Sequence, residues 1–140
     1  WGEECLSDHH LDRGPFSDTG WEIYPLGLLA VLQRYSRLDL PLMITENGVA
    51  TRDEDLRQGY LREHLAAMGE AIERGSNVLG YLYWSLMDNF EWALGRGPRF
   101  GLAEVDFETQ RRTPRPAAAD FAAICRSRRL YLPEAEGGAS

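Results

Sequence analysis

The spacing of apolar residues divides the middle of the chain into alternating helices and strands. From Pro25 to Ser36 they recur at helical spacing, and Pro25 suits the first turn of a helix. An apolar run without alternation follows from Leu40 to Thr45, which is typical of a parallel strand buried on both faces. The pattern therefore predicts one helix followed by one buried strand.

The next predicted element is a long helix that follows a loop over residues 49–53. Its apolar face is formed by Leu56, Tyr60, Leu61, Leu65, Met68 and Ile72. The acidic run at residues 53–55 suits the positive N-terminal end of a helix, and Arg74-Gly75 suits its close. A second apolar and aromatic run, from Val78 to Leu86, predicts a second buried strand.

The C-terminal part of the chain predicts a long loop before a last helix. Residues 88–113 are rich in aromatic residues and glycine, which favours a loop with a short hairpin at Arg99–Val105 and Phe107. A helix is predicted from Pro114 to Arg128, and residues 133–140 are expected to form a frayed tail. The predicted order is thus helix, strand, helix, strand, hairpin, helix.

This alternation of helices with buried strands predicts an α/β fold in which helices cover a parallel sheet. Such a sheet is either doubly wound or part of a (β/α)8 barrel, and two strands complete neither. No phosphate-binding glycine-rich turn follows the first strand, so the dinucleotide-binding alternative has no support.

Composition and charge narrow the classes of function. The length of 140 residues, 44 % of them hydrophobic, fits one domain, and the formal charge of −7 argues against nucleic-acid partners. No stretch approaches the roughly 18 apolar residues of a membrane span. Cys5 and Cys125 lie near opposite ends, so we expect reduced thiols and a cytoplasmic protein. The start at Trp1 rather than Met suggests an incomplete sequence.

Candidate chemistry lies where the two predicted strands end. Glu46 follows the first apolar run, and the carboxyl edge of a parallel sheet is where barrel enzymes hold catalytic groups. Its position alone leaves open whether Glu46 is catalytic or only caps the turn at Asn47-Gly48. The second strand ends in a mixture of aromatic and acidic residues, Tyr83 to Trp92.

Aromatic rings and carboxylates in one loop are the combination of side chains that a sugar-binding site needs. A ring packs on the apolar face of a pyranose, and carboxylate and indole groups bind its hydroxyls. Core packing is the alternative for Trp84 or Phe90. Burial of an unpaired carboxylate is costly, so Glu91 between Phe90 and Trp92 favours a substrate hydroxyl as its partner. His9 and His10 lack companions that would complete a metal site, so no metal or other cofactor is expected.

Five segments occur along the chain in this order: Gly20-Trp21-Glu22-Ile23-Tyr24-Pro25, Ile44-Thr45-Glu46-Asn47-Gly48, Trp84-Ser85-Leu86-Met87-Asp88-Asn89-Phe90-Glu91-Trp92, Arg99-Phe100-Gly101-Leu102 and Arg112-Thr113-Pro114-Arg115. Together and in this order, they resemble the C-terminal third of a glycoside hydrolase family 1 β-glycosidase. The resemblance covers residues 17–128. It implies the C-terminal part of a (β/α)8 TIM barrel over residues 1–132, with about strands 7 and 8 and helices 6, 7 and 8, followed by the tail at 133–140.

The resemblance also implies a retaining β-glucosidase-like hydrolase acting on β-glucosides or related β-glycosides. In it, Glu46 is the nucleophile and Trp84 lines the floor of the glycone site. Glu91 binds the 4- and 6-hydroxyls of the sugar, Trp92 donates to the 3-hydroxyl, and Phe100 closes the pocket nearby. The short loop over residues 49–53 resembles family members that often accept glucosides, galactosides and fucosides.

A retaining glycosidase needs a second carboxylate as acid and base, about 5–5.5 Å from the nucleophile. In the resembled family it belongs to an Asn-Glu-Pro motif, which this sequence lacks. We therefore expect an enzyme piece that is active only with the missing N-terminal part of the barrel or with a complementing chain. The alternatives are a non-catalytic half-barrel that binds sugar weakly or self-associates, and a relic with residual hydrolysis.

Overall fold

A computed structural model describes residues 14–130 of the chain. Its elements are α1 (Pro25–Ser36), β1 (Leu42–Asn47), α2 (Glu54–Glu73), β2 (Val78–Tyr83), a 3-10 turn (Trp92–Leu94), β3 (Ala103–Val105), β4 (Arg112–Pro114) and α3 (Pro116–Ser127). The predicted tail at residues 133–140, together with His9, His10 and Cys5, lies outside the described residues. No helix within 14–130 combines the length and apolarity that a membrane span requires.

The first four elements follow the predicted order, and α1 has the predicted bounds. Strands β1 and β2 are parallel neighbours, with Leu42 opposite Val78 and Asn47 opposite Tyr83. The apolar runs predicted strands at Leu40–Thr45 and Val78–Leu86, so β1 starts and ends two residues later than predicted and β2 ends three residues earlier. The sheet hydrogen bonding continues past the apolar part of β1, and as a result Glu46 belongs to the strand and not to the turn after it.

Helix α2 connects the two strands and begins at a strong cap. The Asp53 carboxylate accepts hydrogen bonds from the backbone N–H groups of Asp55, at 2.9 Å, and Leu56, at 3.2 Å. These bonds satisfy donors that the first helical turn leaves free. The helix ends before Gly75, whose φ of +98° is a conformation that favours glycine. The predicted helix start at the acidic run and the predicted close at Arg74-Gly75 are confirmed.

Two apolar clusters hold the helices against one face of the sheet. The first consists of Leu29, Leu32, Ile44, Ala67 and Ala71. The second consists of Leu61, Leu65, Tyr83, Leu102 and Ala117. Both draw residues from a strand and from α2, so α2 packs across the pair of strands.

The prediction that both strands are buried on two faces is wrong for this chain by itself. Met43, Leu79 and Leu82 are exposed apolar residues of β1 and β2. Within residues 14–130 the helices cover one face of the sheet only, and two strands cannot cover the other face by closing on themselves. In a closed barrel the inner faces of several strands cover one another.

The predicted hairpin is wrong in its second arm. Strand β3 pairs antiparallel with β4, with Ala103 opposite Pro114 and Val105 opposite Arg112. Asp106 forms the intervening turn, because its carboxylate accepts hydrogen bonds from the N–H groups of Glu108 and Thr109. Pro114 therefore belongs to a strand, and the last helix starts two residues later than predicted.

Candidate active site

The ends of β1 and β2 lie side by side at one edge of the sheet. Glu46 is the second-last residue of β1, and Trp84 directly follows β2. The Trp84 N–H donates to the Asn47 carbonyl at 3.0 Å, which extends the parallel pairing past the end of β2. Because parallel strands end at the same edge, the structure places Glu46 and Trp84 at one edge of the sheet, on neighbouring strand ends.

A glycine permits this close approach. A Cβ atom at Gly48 would lie 1.6 Å from the Trp84 carbonyl oxygen, so no other residue fits without a backbone shift. The Tyr81 hydroxyl donates to the Asn47 side-chain oxygen at 2.8 Å and ties the same turn to β2. Asn47 and Gly48 therefore shape the turn next to Glu46.

The Glu46 side chain is exposed at this edge. None of the described residues forms a hydrogen bond or ion pair with its carboxylate. A carboxylate at the carboxyl end of a parallel strand that has no structural partner is available to a ligand. Its alternative role as a turn cap has no support, since the turn is held by Asn47 and Gly48.

Glu91 and Trp92 lie on a tight turn in the loop after β2. The Glu91 N–H donates to the Gly95 carbonyl at 2.7 Å, and the Leu94 N–H donates back to the Glu91 carbonyl at 2.9 Å. Trp92 is 84 % exposed, and the neighbouring Phe90 is also exposed. Core packing therefore does not account for these two aromatic residues in the described part of the chain.

Phe100 lies behind the edge of the sheet. It is only 3 % exposed, and its ring centroid is 6.5 Å from that of Trp21. Its carbonyl accepts from the Ser85 N–H at 3.3 Å, so it supports the backbone next to Trp84. The five predicted site residues thus lie on β1 and on the loop after β2, with Phe100 covered and the others partly or fully exposed.

A buried ionic cluster, which the sequence pattern did not predict, contacts the loop after β2. The Asp88 carboxylate, which has no exposed surface, accepts two hydrogen bonds from the Arg115 guanidinium at 3.0 and 2.9 Å. It also accepts from the N–H of Gly101 at 2.9 Å and of Val105 at 3.3 Å, and Arg99 lies 3.3 Å away. Asp88 therefore joins the loop after β2 to the start of α3.

Arg57 extends this cluster to the loop after β1. Its guanidinium is fully buried and donates to the carbonyls of Val49, Thr51 and Arg99. Glu54 lies between two arginines, because its Oε1 is 3.1 Å from Arg57 Nε and 3.2 Å from Arg115 Nε. These contacts connect both strand-end loops to the first turns of α2 and α3.

The cluster gives a pH-dependent prediction for Asp88. Burial by itself would raise the pKa of its carboxyl, but the hydrogen bonds from Arg115 and Gly101 outweigh burial and hold the pKa below its ordinary value. A depressed pKa in the folded state stabilises the fold above the unfolded pKa, and this contribution is lost as pH falls through the folded pKa. We expect the difference in free energy of unfolding between the native chain and Asp88→Asn to shrink below about pH 4.

Urea unfolding of both proteins from about pH 6 to about pH 2.5 measures this difference. Asp18→Asn, which changes an exposed carboxylate, is the matched control. If the difference in free energy of unfolding between the native chain and Asp88→Asn stayed constant over this pH range, Asp88 would not have the depressed pKa.

Other groups that bear on the sequence predictions lie away from the sheet edge. His64 is buried in α2, where its ring stacks on Tyr60 at 3.7 Å and its Nδ1 lies 2.8 Å from the Tyr60 carbonyl. Burial lowers the pKa of its imidazole.

Within residues 14–130, no group of three His, Cys, Asp or Glu side chains lies close enough to hold a metal ion. Cys125 is a free, exposed thiol, and the cytoplasmic location stays a prediction.

Comparison with known proteins identifies the family. The chain is 46 % identical over 129 residues to the β-galactosidase of Sulfolobus acidocaldarius, covering 91 % of this chain and 26 % of that protein. It is 45 % identical over 114 residues to the bifunctional β-D-glucosidase/β-D-fucosidase of Bifidobacterium breve, covering 71 % of this chain and 25 % of the relative. It therefore spans about a quarter of the length of these relatives.

The solved β-glycosidase from Pyrococcus horikoshii superposes with a TM-score of 0.82 at 45 % identity, over 88 % of this chain and 31 % of that one. Such solved relatives are TIM-barrel glycosidases, so the fold described above is a fragment of a TIM barrel. The sequence pattern of glycosyl hydrolase family 1 matches residues 3–130. The chain belongs to glycosyl hydrolase family 1.

Proposed function

We propose that this chain is the nucleophile-bearing part of a retaining β-glycosidase. In this proposal β1 and β2 are strands 7 and 8 of the barrel, and α1, α2 and α3 are helices 6, 7 and 8. The observation that carries it is Glu46, an exposed carboxylate at the carboxyl end of a parallel strand in a family 1 chain, with no hydrogen-bond or ion-pair partner among residues 14–130. The exposed aromatic and acidic loop after β2 supports a sugar as the ligand.

The proposed reaction is a double displacement. A Glu46 oxygen attacks the anomeric carbon, and the bond to the leaving-group oxygen breaks as that oxygen takes a proton from the acid carboxyl. Water then gives a proton to the same group and attacks the anomeric carbon, which releases Glu46 and the sugar. Both steps invert the anomeric centre, so the product retains the β configuration.

The other residues bind the glycone in this proposal. Trp84 lines the floor of the site, and Glu91 accepts hydrogen bonds from the 4- and 6-hydroxyls. Trp92 donates its indole N–H to the 3-hydroxyl, and Phe100 closes the pocket behind Trp84. The backbone hydrogen bond between Trp84 and Asn47, the residue after Glu46, supports these roles, as does the exposure of Trp92.

The acid and base carboxyl comes from outside the chain. The sequence contains no Asn-Glu-Pro segment, which is the motif that holds this carboxyl in the resembled family. The exposed apolar residues of β1 and β2 support a partner that covers the open face of the sheet. We propose that this partner is the N-terminal part of the barrel, on the same chain or on a complementing one.

The same open face favours the second candidate, a non-catalytic half-barrel that self-associates or binds sugar weakly. Sedimentation of the 140-residue chain together with glycan titration separates the two candidates. A stable oligomer that binds glucosides, with no gain in hydrolysis when the N-terminal part of a family 1 barrel is added, would favour the half-barrel. An increase in hydrolysis on that addition would favour the enzyme.

Trapping of the covalent intermediate tests the proposed nucleophile. The chain would be joined to the N-terminal part of the Pyrococcus horikoshii β-glycosidase, in place of the matching 31 % of that protein, to form a complete barrel. A 2-deoxy-2-fluoro-β-glucoside with a good leaving group is expected to label Glu46, because the fluorine slows hydrolysis of the glycosyl-enzyme. Peptide mass spectrometry locates the label. A label on any other carboxylate would remove the proposal.

A further inference from the structure

We infer that Asn89 is a positioning residue that orients the Glu91 carboxylate for sugar recognition. Its side-chain Nδ2 donates a hydrogen bond to Glu91 Oε2 at 2.9 Å. The inference rests on the proposed function, in which Glu91 binds the glycone. In addition, Asn89 sets the orientation in which Glu91 meets the sugar hydroxyls, although Asn89 itself need not touch the sugar.

The backbone on both sides of this hydrogen bond is held in place. Asp88, which directly precedes Asn89, is fixed by its buried contacts with Arg115 and Gly101 and by its N–H, which donates to the Ala103 carbonyl at 3.0 Å. On the other side, the tight turn with Gly95 holds the backbone of Glu91. The remaining freedom of Glu91 is therefore in its side chain.

The hydrogen bond to Asn89 removes much of that freedom. An amide N–H group turned towards a carboxylate is attractive, whereas the amide oxygen in its place would be repelled, so the amide has one favourable orientation. With Oε2 engaged, Oε1 is left to accept from a sugar hydroxyl, and Oε2 keeps a second lone pair. A carboxylate held before the ligand arrives loses less entropy on binding.

Folding stability alone does not explain the arrangement. The same orientation leaves Asn89 Oδ1 buried, and no described residue donates to it. A buried acceptor without a partner is unfavourable, and such groups are uncommon in folded proteins. The Asn89 side chain thus donates to Glu91 while its own Oδ1 stays without a donor among the described residues. This is the arrangement expected of a residue whose role is to orient Glu91.

The contact can be tested by NMR on the full 140-residue chain. The Asn89 side-chain amide resonances are expected to shift as the Glu91 carboxyl is protonated, and this shift is expected to disappear in Glu91→Gln. The amide of Asn77, an exposed residue, is the internal control. Asn89 resonances that titrate identically in both proteins would overturn the inference.

Kinetics in the complete barrel test its effect on specificity. We expect Asn89→Ala to lower kcat/KM for an aryl β-glucoside by about tenfold, the usual scale for a hydrogen bond to a charged group. The loss should be smaller for the β-xyloside, which has no 6-hydroxyl. In the Glu91→Gln background, Asn89→Ala should cause little further loss, because it acts through Glu91. Asn77→Ala is the control variant.

The outcomes separate the inference from the function on which it rests. If Glu91→Gln impairs the glucoside and Asn89→Ala does not, Asn89 has no positioning role although the proposed function stands. Equal losses for glucoside and xyloside would show a general structural defect and would also overturn the inference. If Glu91→Gln itself has no effect, the proposed sugar contact of Glu91 is wrong.

Discussion

Replacement of Glu46 by Gln in the complete barrel is expected to lower kcat for an aryl β-glucoside by about 10⁴-fold or more, the scale on which loss of a covalent nucleophile acts. Gln has nearly the same shape but cannot form the glycosyl ester. The carboxylate has no structural partner among residues 14–130, so the substitution should leave the fold intact. Steady-state kinetics and circular dichroism of the same samples measure both effects.

A smaller residue at this position permits a chemical rescue. In Glu46→Ala, azide fits the vacated space and attacks the anomeric carbon from the face that Glu46 occupied, so the expected product is the α-glycosyl azide. Glu63→Gln, which changes an exposed carboxylate of α2, is the matched control and should retain full activity. If Glu46→Gln kept activity within a few-fold of the parent, Glu46 would not be the nucleophile.

Replacement of Asp88 by Ala is expected to reduce the free energy of unfolding by about 3–5 kcal/mol. The substitution leaves the Arg115 guanidinium buried without its main partner and removes the acceptor for the Gly101 and Val105 N–H groups. A loss of this size is a large fraction of the stability of an ordinary domain, about 5–15 kcal/mol. Urea unfolding followed by circular dichroism and tryptophan fluorescence measures it.

Two variants identify the source of this effect. Asp18→Ala removes an exposed carboxylate and is expected to change the free energy of unfolding by no more than about 0.5 kcal/mol. Asp88→Asn keeps the shape and part of the hydrogen bonding, so its loss should lie between the other two. Equal stability of Asp88→Ala and Asp18→Ala would mean that the buried cluster does not hold the loop after β2.

Local sequence patterns predicted the helix and strand ends that are set by residues close together in the chain. The bounds of α1 follow from helical spacing. The start of α2 at the acidic run and its end before Gly75 follow from backbone groups within a few residues. The position of Glu46 at a strand end follows from the same kind of information. The hairpin was harder to predict, because its register depends on the side chain of Asp106 and on strands of only three residues.

The buried cluster could not be predicted in this way. Arg57 bonds to the carbonyl of a residue 42 positions away, and Arg115 bonds to Asp88 across 27 positions. Arginine is common on exposed helix faces, and nothing in its immediate neighbours distinguishes a buried copy. Asp88 and Arg115 do lie within segments that resemble family motifs, and this is a sequence signal that could have indicated their ion pair.

The sequence by itself determined the family, the bounds of α1 and a strand end at Glu46, because periodicity and short motifs are local properties. Tertiary structure decided how the loops after β1 and β2 are held together. It also decided that Asn89 donates a hydrogen bond to Glu91 and that, within residues 14–130, the helices cover only one face of the sheet. These features depend on distances between residues far apart in the chain, and only the folded backbone sets those distances.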